Sequence, residues 1–254
     1  MKSKIDLNVE AVLLRKRFGE DSFSPIDIFS FICNLNNLTV VFYPMSERIS
    51  GMCIKINSND SLIAINTALS YGRQRFTAAH ELYHLFIQKN FTNVVCGKEI
   101  GAAKDEEEKN ADTFASFFLA PSEALRIYIR DELDKKEIDQ FITEDVVKIE
   151  QYFGMSRQAT LYRLVSERYI TKEFADTLKT NIITFARKMG FDDKLYTSNP
   201  DDKQYGTIGS YIDLAEKLKD RDVISIGKYE ELLLDAFRSD IVYNLTNAGN
   251  EKYD

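Results

Sequence analysis

Val9, Val12, Leu13 and Phe18 repeat at helical spacing and stop at Gly19, which predicts an amphipathic helix over residues 6–18. Ser24 and Pro25 supply an N-cap and a first-turn proline for a second helix reaching Leu35. The period then changes. Leu38–Tyr43 is rich in β-branched and aromatic residues; Gly51–Ile56 and Leu62–Asn66 read as two more strands, joined by Asn57, Ser58, Asn59 and Asp60 as a hairpin. Helical period returns in Arg73–Ile87 and in Asp105–Pro121, where Ala111, Phe114, Ala115 and Phe118 make an apolar face. Between them, Asn90–Lys104 is a long connection, either a lid or a plain connector.

Further on, residues 121–137 read as a charged helix. Thr143–Phe153, a turn at Gly154, and Ser156–Glu167 resemble a helix-turn-helix, with Val146, Val147 and Ile149 facing inward on its first helix. Arg157, Gln158 and Arg163 would then be exposed where a recognition helix reads bases. Charge argues against that use: residues 144–173 carry acids and bases in similar numbers, so no basic footprint exists. Helix packing or partner docking is the preferred reading. Asn181–Met189 is helical and ends at Gly190, Asp192–Tyr205 is a polar connection, and Ile208–Leu218 and Lys228–Arg238 are amphipathic helices. The class predicted is α+β, mostly helical, with a small three-stranded antiparallel sheet. Three parts are expected: a core over 1–122, a helix-turn-helix-like segment over 123–174 and a helical extension over 175–254.

The chain has 254 residues, 44% of them hydrophobic, enough for a sizeable core. Its net charge of −7 argues against broad nucleic-acid binding and suits a partner with a basic patch. Three cysteines, Cys33, Cys53 and Cys96, lack paired metal spacing and point to a reducing cytoplasm rather than a disulfide framework. Cys33 and Cys53 read as small buried hydrophobes, and Cys96 as a loop thiol with some ligand potential. No signal peptide or membrane-spanning stretch is evident, so no membrane partner is expected.

The chemistry concentrates in His80-Glu81-Leu82-Tyr83-His84, which holds both histidines of the chain. Positions i and i+4 share a helix face, so both imidazoles reach one Zn²⁺ while Glu81 stands beside them as a general base. A catalytic zinc normally takes a third protein ligand, and with no histidine left it must be a carboxylate or a cysteine. Glu108 is the preferred third ligand, because it lies one turn before Ala111 on the close-approach face, and Glu107 points about 100° away. Asp112, a turn further on, would accept the free ring N–H of a ligand histidine. That is a thermolysin-like arrangement, and Mn²⁺ is an alternative ion. Tyr71, Arg73 and Tyr83 are the side chains near enough in sequence to be oxyanion donors.

Arg75-Phe76-Thr77-Ala78-Ala79-His80-Glu81-Leu82-Tyr83-His84, then Glu108-Lys109-Asn110-Ala111-Asp112-Thr113-Phe114-Ala115 and Leu119-Ala120-Pro121, resemble the ImmA/IrrE family of bacterial metallopeptidases over about residues 8–170. The resemblance implies a gluzincin-like minimal peptidase core. It also implies a cytoplasmic endopeptidase that cleaves a partner helix-turn-helix repressor and so relieves repression of mobile-element, prophage or stress genes. Tyr83 departs from the family's usual glycine, and its bulk would narrow the cleft or bring a hydroxyl near the metal. The rival expectation is a non-catalytic, metal-dependent regulator that binds a repressor or DNA without cutting.

Overall fold

A computed structural model describes residues 2–57, 60–89, 93–97, 100, 105–135 and 141–243. Its helices are α1 Lys4–Arg17, α2 Ile28–Cys33, α3 Tyr71–Phe86, α4 Glu106–Leu119, α5 Ser122–Ile127, α6 Thr143–Phe153, α7 Arg157–Ser166, α8 Lys172–Thr177, α9 Ile182–Lys188, α10 Ser210–Asp220, α11 Ile226–Asp235 and α12 Ser239–Val242. Its strands are β1 Leu38–Tyr43, β2 Ile49–Lys55, β3 Ser61–Asn66, β4 Asn93–Gly97 and β5 Gly206–Gly209. Among the described residues no helix is long and apolar enough to cross a membrane.

Helix α3 is buried from Gly72 through Leu85, polar residues included, because it is covered on several sides. The sheet lies against one side, α4 against another, and α2 and α7 close the rest. A helix so enclosed needs close approaches. Gly51 of β2 provides one: a Cβ there would stand 2.5 Å from Thr77 Cγ2 and 2.8 Å from the Ala64 carbonyl oxygen. Gly72 provides another, where a Cβ would meet the Ser156 nitrogen at 2.9 Å.

The α+β class holds, but the sheet differs from the three antiparallel strands expected. Five strands run in the order β4-β2-β3-β1-β5. β2 and β3 pair antiparallel, and Asn57 Oδ1 accepts from the Asp60 backbone N–H at 2.8 Å in their turn. β1 instead runs parallel to β3, from Leu38 opposite Ser61 to Tyr43 opposite Asn66. β3 therefore lies between β1 and its hairpin partner β2, whose other edge is paired with β4. The two unforeseen strands are edges. β4 forms inside the expected 90–104 connection, where Cys96 pairs with Gly51, and the lid reading falls otherwise mostly on residues outside those described. β5 has only four residues, two of them glycine, and carries no strand pattern of its own.

Helix α2 starts later than its Ser24-Pro25 signal suggests. Asp27 is the N-cap, accepting from the backbone N–H groups of Phe29 and Ser30. Its carboxylate also takes the Ser30 hydroxyl at 2.8 Å. The expected charged helix after Pro121 is α5 followed by a π-helical turn over Tyr128–Glu132; residues 136–140 lie outside those described.

One cluster of apolar contacts runs from Leu7 to Leu178, so α6 and α7 share the core of α1, α3 and α4. A second, small cluster of Ala215, Tyr229 and Leu233 joins α10 to α11. Gly154, at φ +64°, ends α6, and the Ser156 side chain caps α7. The expected exposure of Arg157 and Arg163 is overturned. Arg163 lies 3.9 Å from the centre of the Phe117 ring, pairs with Glu167 at 3.1 Å and donates to the Ser116 hydroxyl. Arg157 is paired with buried Glu150 and donates to the Leu178 carbonyl at 2.7 Å. Glu167 caps the same helix, but Phe117, Ser116, Glu150 and Leu178 come from other parts of the core, so both guanidinium groups are internal ties; Gln158 alone of the three faces solvent.

Candidate metal centre

His80 and His84 occupy successive turns of α3, and their Nε2 atoms stand 3.1 Å apart. Glu108, in the first turn of α4, places one carboxylate oxygen 3.3 Å from His80 Nε2 and the other 3.4 Å from His84 Nε2. This is the one group of three possible ligand side chains found among the described residues. Ala111 and Ala115, both fully buried, let α4 come close enough to α3 for the contact.

Each imidazole is held from behind. His80 Nδ1 is 2.9 Å from Asp112 Oδ1, and His84 Nδ1 is 2.5 Å from Gln88 Oε1. Carboxylate and amide oxygens only accept, so each Nδ1 carries a hydrogen and each Nε2 is turned toward the shared point. Two imidazole nitrogens and a carboxylate meeting there, with no donor supplied by the protein, require positive charge. The tuning of His80 says the same. Burial alone would lower its pKa, but hydrogen bonds to Asp112 and Glu108 outweigh it and raise it to about 10. Burial, and then the charge on His80, push His84 down. A single proton on His80 thus meets a demand that a divalent ion also meets. The three separations fit such an ion, because donors about 2.0–2.1 Å from a tetrahedral centre lie roughly 3.3 Å from one another.

Glu81, between the histidines in sequence, projects toward the sheet and is fully buried. Its Oε1 would be 3.3 Å from a Cβ on Gly51. The buried Cys53 thiol, on β2, lies near the Glu81 carboxylate; burial first and Glu81's charge next raise that thiol's pKa far above its usual range, leaving it an inert thiol.

Tyr83 neither narrows the space between the ligands nor offers them its hydroxyl. The hydroxyl is 2.5 Å from Glu107 Oε2, and the ring sits 5.6 Å from Phe114. The tyrosine ties α3 to the first turn of α4, and it engages Glu107, whose carboxylate is not among the groups meeting at the histidines. Tyr71 and Arg73 lie nine and seven residues before His80, about 13 and 10 Å along the helix axis. Tyr71 packs 5.8 Å from Phe29, Arg73 places its guanidinium 5.3 Å from the Phe76 ring, and neither is among the groups meeting at the imidazoles. Gln88, the Cys53–Glu81 contact and Gly51 escaped the sequence reading. Gln88 had a usable signal, one helical turn beyond His84; the other two depend on strand register.

No curated protein matches the chain. The model for the peptidase M78 family, described as the IrrE N-terminal-like domain, matches residues 37–165. That span runs from β1 almost to the end of α7 and contains His80, Glu81, His84, Gln88, Glu108 and Asp112.

Proposed function

The chain belongs to the peptidase M78 family of IrrE N-terminal-like domains, and on that premise we propose that it is a zinc-dependent endopeptidase that cleaves a helix-turn-helix repressor at a specific site. The observation that carries the reading is the convergence of His80, His84 and Glu108 on one point of unmet positive charge. Two nitrogen donors and one carboxylate suit zinc, whereas manganese favours sites richer in oxygen. When bound, such an ion supplies Lewis acidity, acidifying water and polarising a carbonyl.

The remaining work belongs to the chain. Asp112 and Gln88 fix the tautomers of His80 and His84. Glu81 takes a proton from the attacking water and delivers it to the leaving amine nitrogen. Edge strand β4, hydrogen bonded to β2 on one side, offers its other side to an extended peptide, whose backbone would add to the sheet. The chain's net charge of −7 suits a basic, DNA-binding substrate.

A second reading, a metal-dependent regulator that sequesters a repressor without cutting it, draws on one observation: Glu81 is fully buried against β2. Incubation with the repressor encoded nearby separates the two. The peptidase reading expects a discrete, chelator-sensitive product that is lost in Glu81→Gln while that variant keeps its zinc. A stable stoichiometric complex without cleavage would overturn it.

A further inference from the structure

A hollow of about 250 Å³ opens between the start of α3, the turn at Gly154 that joins α6 to α7, and residues 192–195 of the C-terminal extension. Arg75 lines it and is more than nine-tenths buried. Two of its three nitrogens are held by main-chain carbonyls: Nε donates to Gly154 at 2.9 Å and Nη2 to Ile26 at 2.5 Å. The lack of a side chain at Gly154 permits this, because a Cβ there would stand 2.6 Å from Nε. Nη1 has no acceptor among the described residues and stays open to solvent. Asp27 feels the charge of Arg75 without pairing with it. A guanidinium so enclosed shares its charge with little water, so an anion that reaches its open nitrogen gains a charge-assisted hydrogen bond.

The rim adds a second cation. Lys194 is exposed, and its ammonium stands 5.0 Å from the centre of the Tyr71 ring, one helical turn before Arg75. It has no ion-pair partner among the described residues. Tyr71 and Tyr152 also line the hollow, and neither hydroxyl has a hydrogen-bond partner among the described residues. One carboxylate opposes an anion: Asp192, whose Oδ1 accepts from the Lys194 backbone N–H at 3.0 Å. Two cations and one anion leave the lining positive.

We infer that this hollow binds phosphate, free or as the end group of a small phosphomonoester. Its donors belong to three parts of the chain, with Arg75 on α3, Tyr152 on α6 and Lys194 in the extension. Donors arriving from different sides suit the four oxygens of a tetrahedral anion better than the two coplanar oxygens of a carboxylate. The volume lies below the roughly 300–1,000 Å³ of sites for drug-sized ligands, which fits a small occupant. The inference does not rest on the peptidase reading, and the binding needs no metal. A bound phosphate ties the C-terminal extension to the helix that carries His80 and His84.

Equilibrium dialysis of the full chain against radiolabelled inorganic phosphate, in chelator and at constant ionic strength, should show one saturable site with a dissociation constant of about 1 mM or tighter. Glycerol phosphate should compete for it, and whether the ester or the free anion binds more tightly tells which source the site serves. Acetate should compete about tenfold less well. Lys194→Gln, at an exposed position that leaves the fold intact, should weaken phosphate about threefold. Asp192→Asn keeps the acceptor for the Lys194 N–H, removes the opposing charge and should strengthen phosphate about threefold. Arg75→Gln should abolish saturation; where that variant fails to fold, the two exposed variants carry the test. The inference is overturned if nothing saturates below about 10 mM, if acetate competes as well as phosphate, or if either Lys194→Gln or Asp192→Asn binds phosphate as the parent does.

Discussion

Gly51→Ala tests the close packing that holds the ligand-bearing helix. The added Cβ would lie 2.5 Å from Thr77 Cγ2, 2.8 Å from the Ala64 carbonyl oxygen and 3.3 Å from Glu81 Oε1. Carbon atoms rest about 3.5–4.0 Å apart, so relief requires roughly 1 Å of movement between β2 and α3. Neither neighbour yields easily. Thr77 is β-branched on a buried helix, and Ala64 lies in β3, paired to Met52 on one side and Val41 on the other. Overpacking of this kind costs about 1–3 kcal/mol, and with a main-chain atom of a central strand involved the upper part of that range, about 2–3 kcal/mol, is expected. Urea unfolding followed by circular dichroism measures it, provided the slope against denaturant is unchanged. Gly227→Ala is the internal control: nothing lies within 4 Å of its Cβ position, it sits in α11, and the change should stabilise by up to about 1 kcal/mol. A Gly51→Ala protein whose stability lies within about 0.5 kcal/mol of the parent would refute the close approach of α3 to the sheet.

Asp112→Asn keeps an acceptor for His80 Nδ1 but removes its charge, and should lower zinc affinity about 10–100-fold in competition with a chromophoric chelator; Gln88→Leu, which strands His84 Nδ1, should weaken it toward the lower end of that range. Asp27→Ala removes the N-cap of α2 and should cost about 1 kcal/mol. Burial raises the pKa of Asp27, but hydrogen bonds from Ser30 and the charge of Arg75 bring it below its ordinary 3.8. A lowered carboxyl stabilises the fold above its unfolded-state pKa and loses that contribution as pH falls through the folded one. The parent should therefore lose stability faster than Asp27→Ala as pH drops below about 4, in unfolding curves taken at successive pH values. Arg163→Ala empties the space against Phe117 and strips Glu167 of its partner, and should cost about 3 kcal/mol by urea unfolding, while Gln158→Ala should stay within about 0.5 kcal/mol.

The grouping of His80, His84 and Glu108 was readable in the chain because the relations that define it are local. His80 and His84 share a face by helical period alone, and Glu108 and Asp112 sit one turn apart on a helix whose alanines announce a close neighbour. The same logic marks β1, the β2–β3 hairpin, α6 and α7, each bounded by turn or cap residues within a few positions. Tertiary structure decided whatever depends on which segments meet. β1 runs parallel to β3, which separates it from β2, and β4 and β5 are strands by pairing with β2 and β1. Arg157 and Arg163 look like surface residues until Glu150, Glu167 and Phe117 close around them, and Tyr83 looks like a site residue until Glu107 claims its hydroxyl. A side chain's periodicity says which way it faces on its own element, whereas the groups that close around it, such as Phe117 over Arg163 and Glu107 on Tyr83, come from elsewhere in the chain, and only the folded chain determines what it faces.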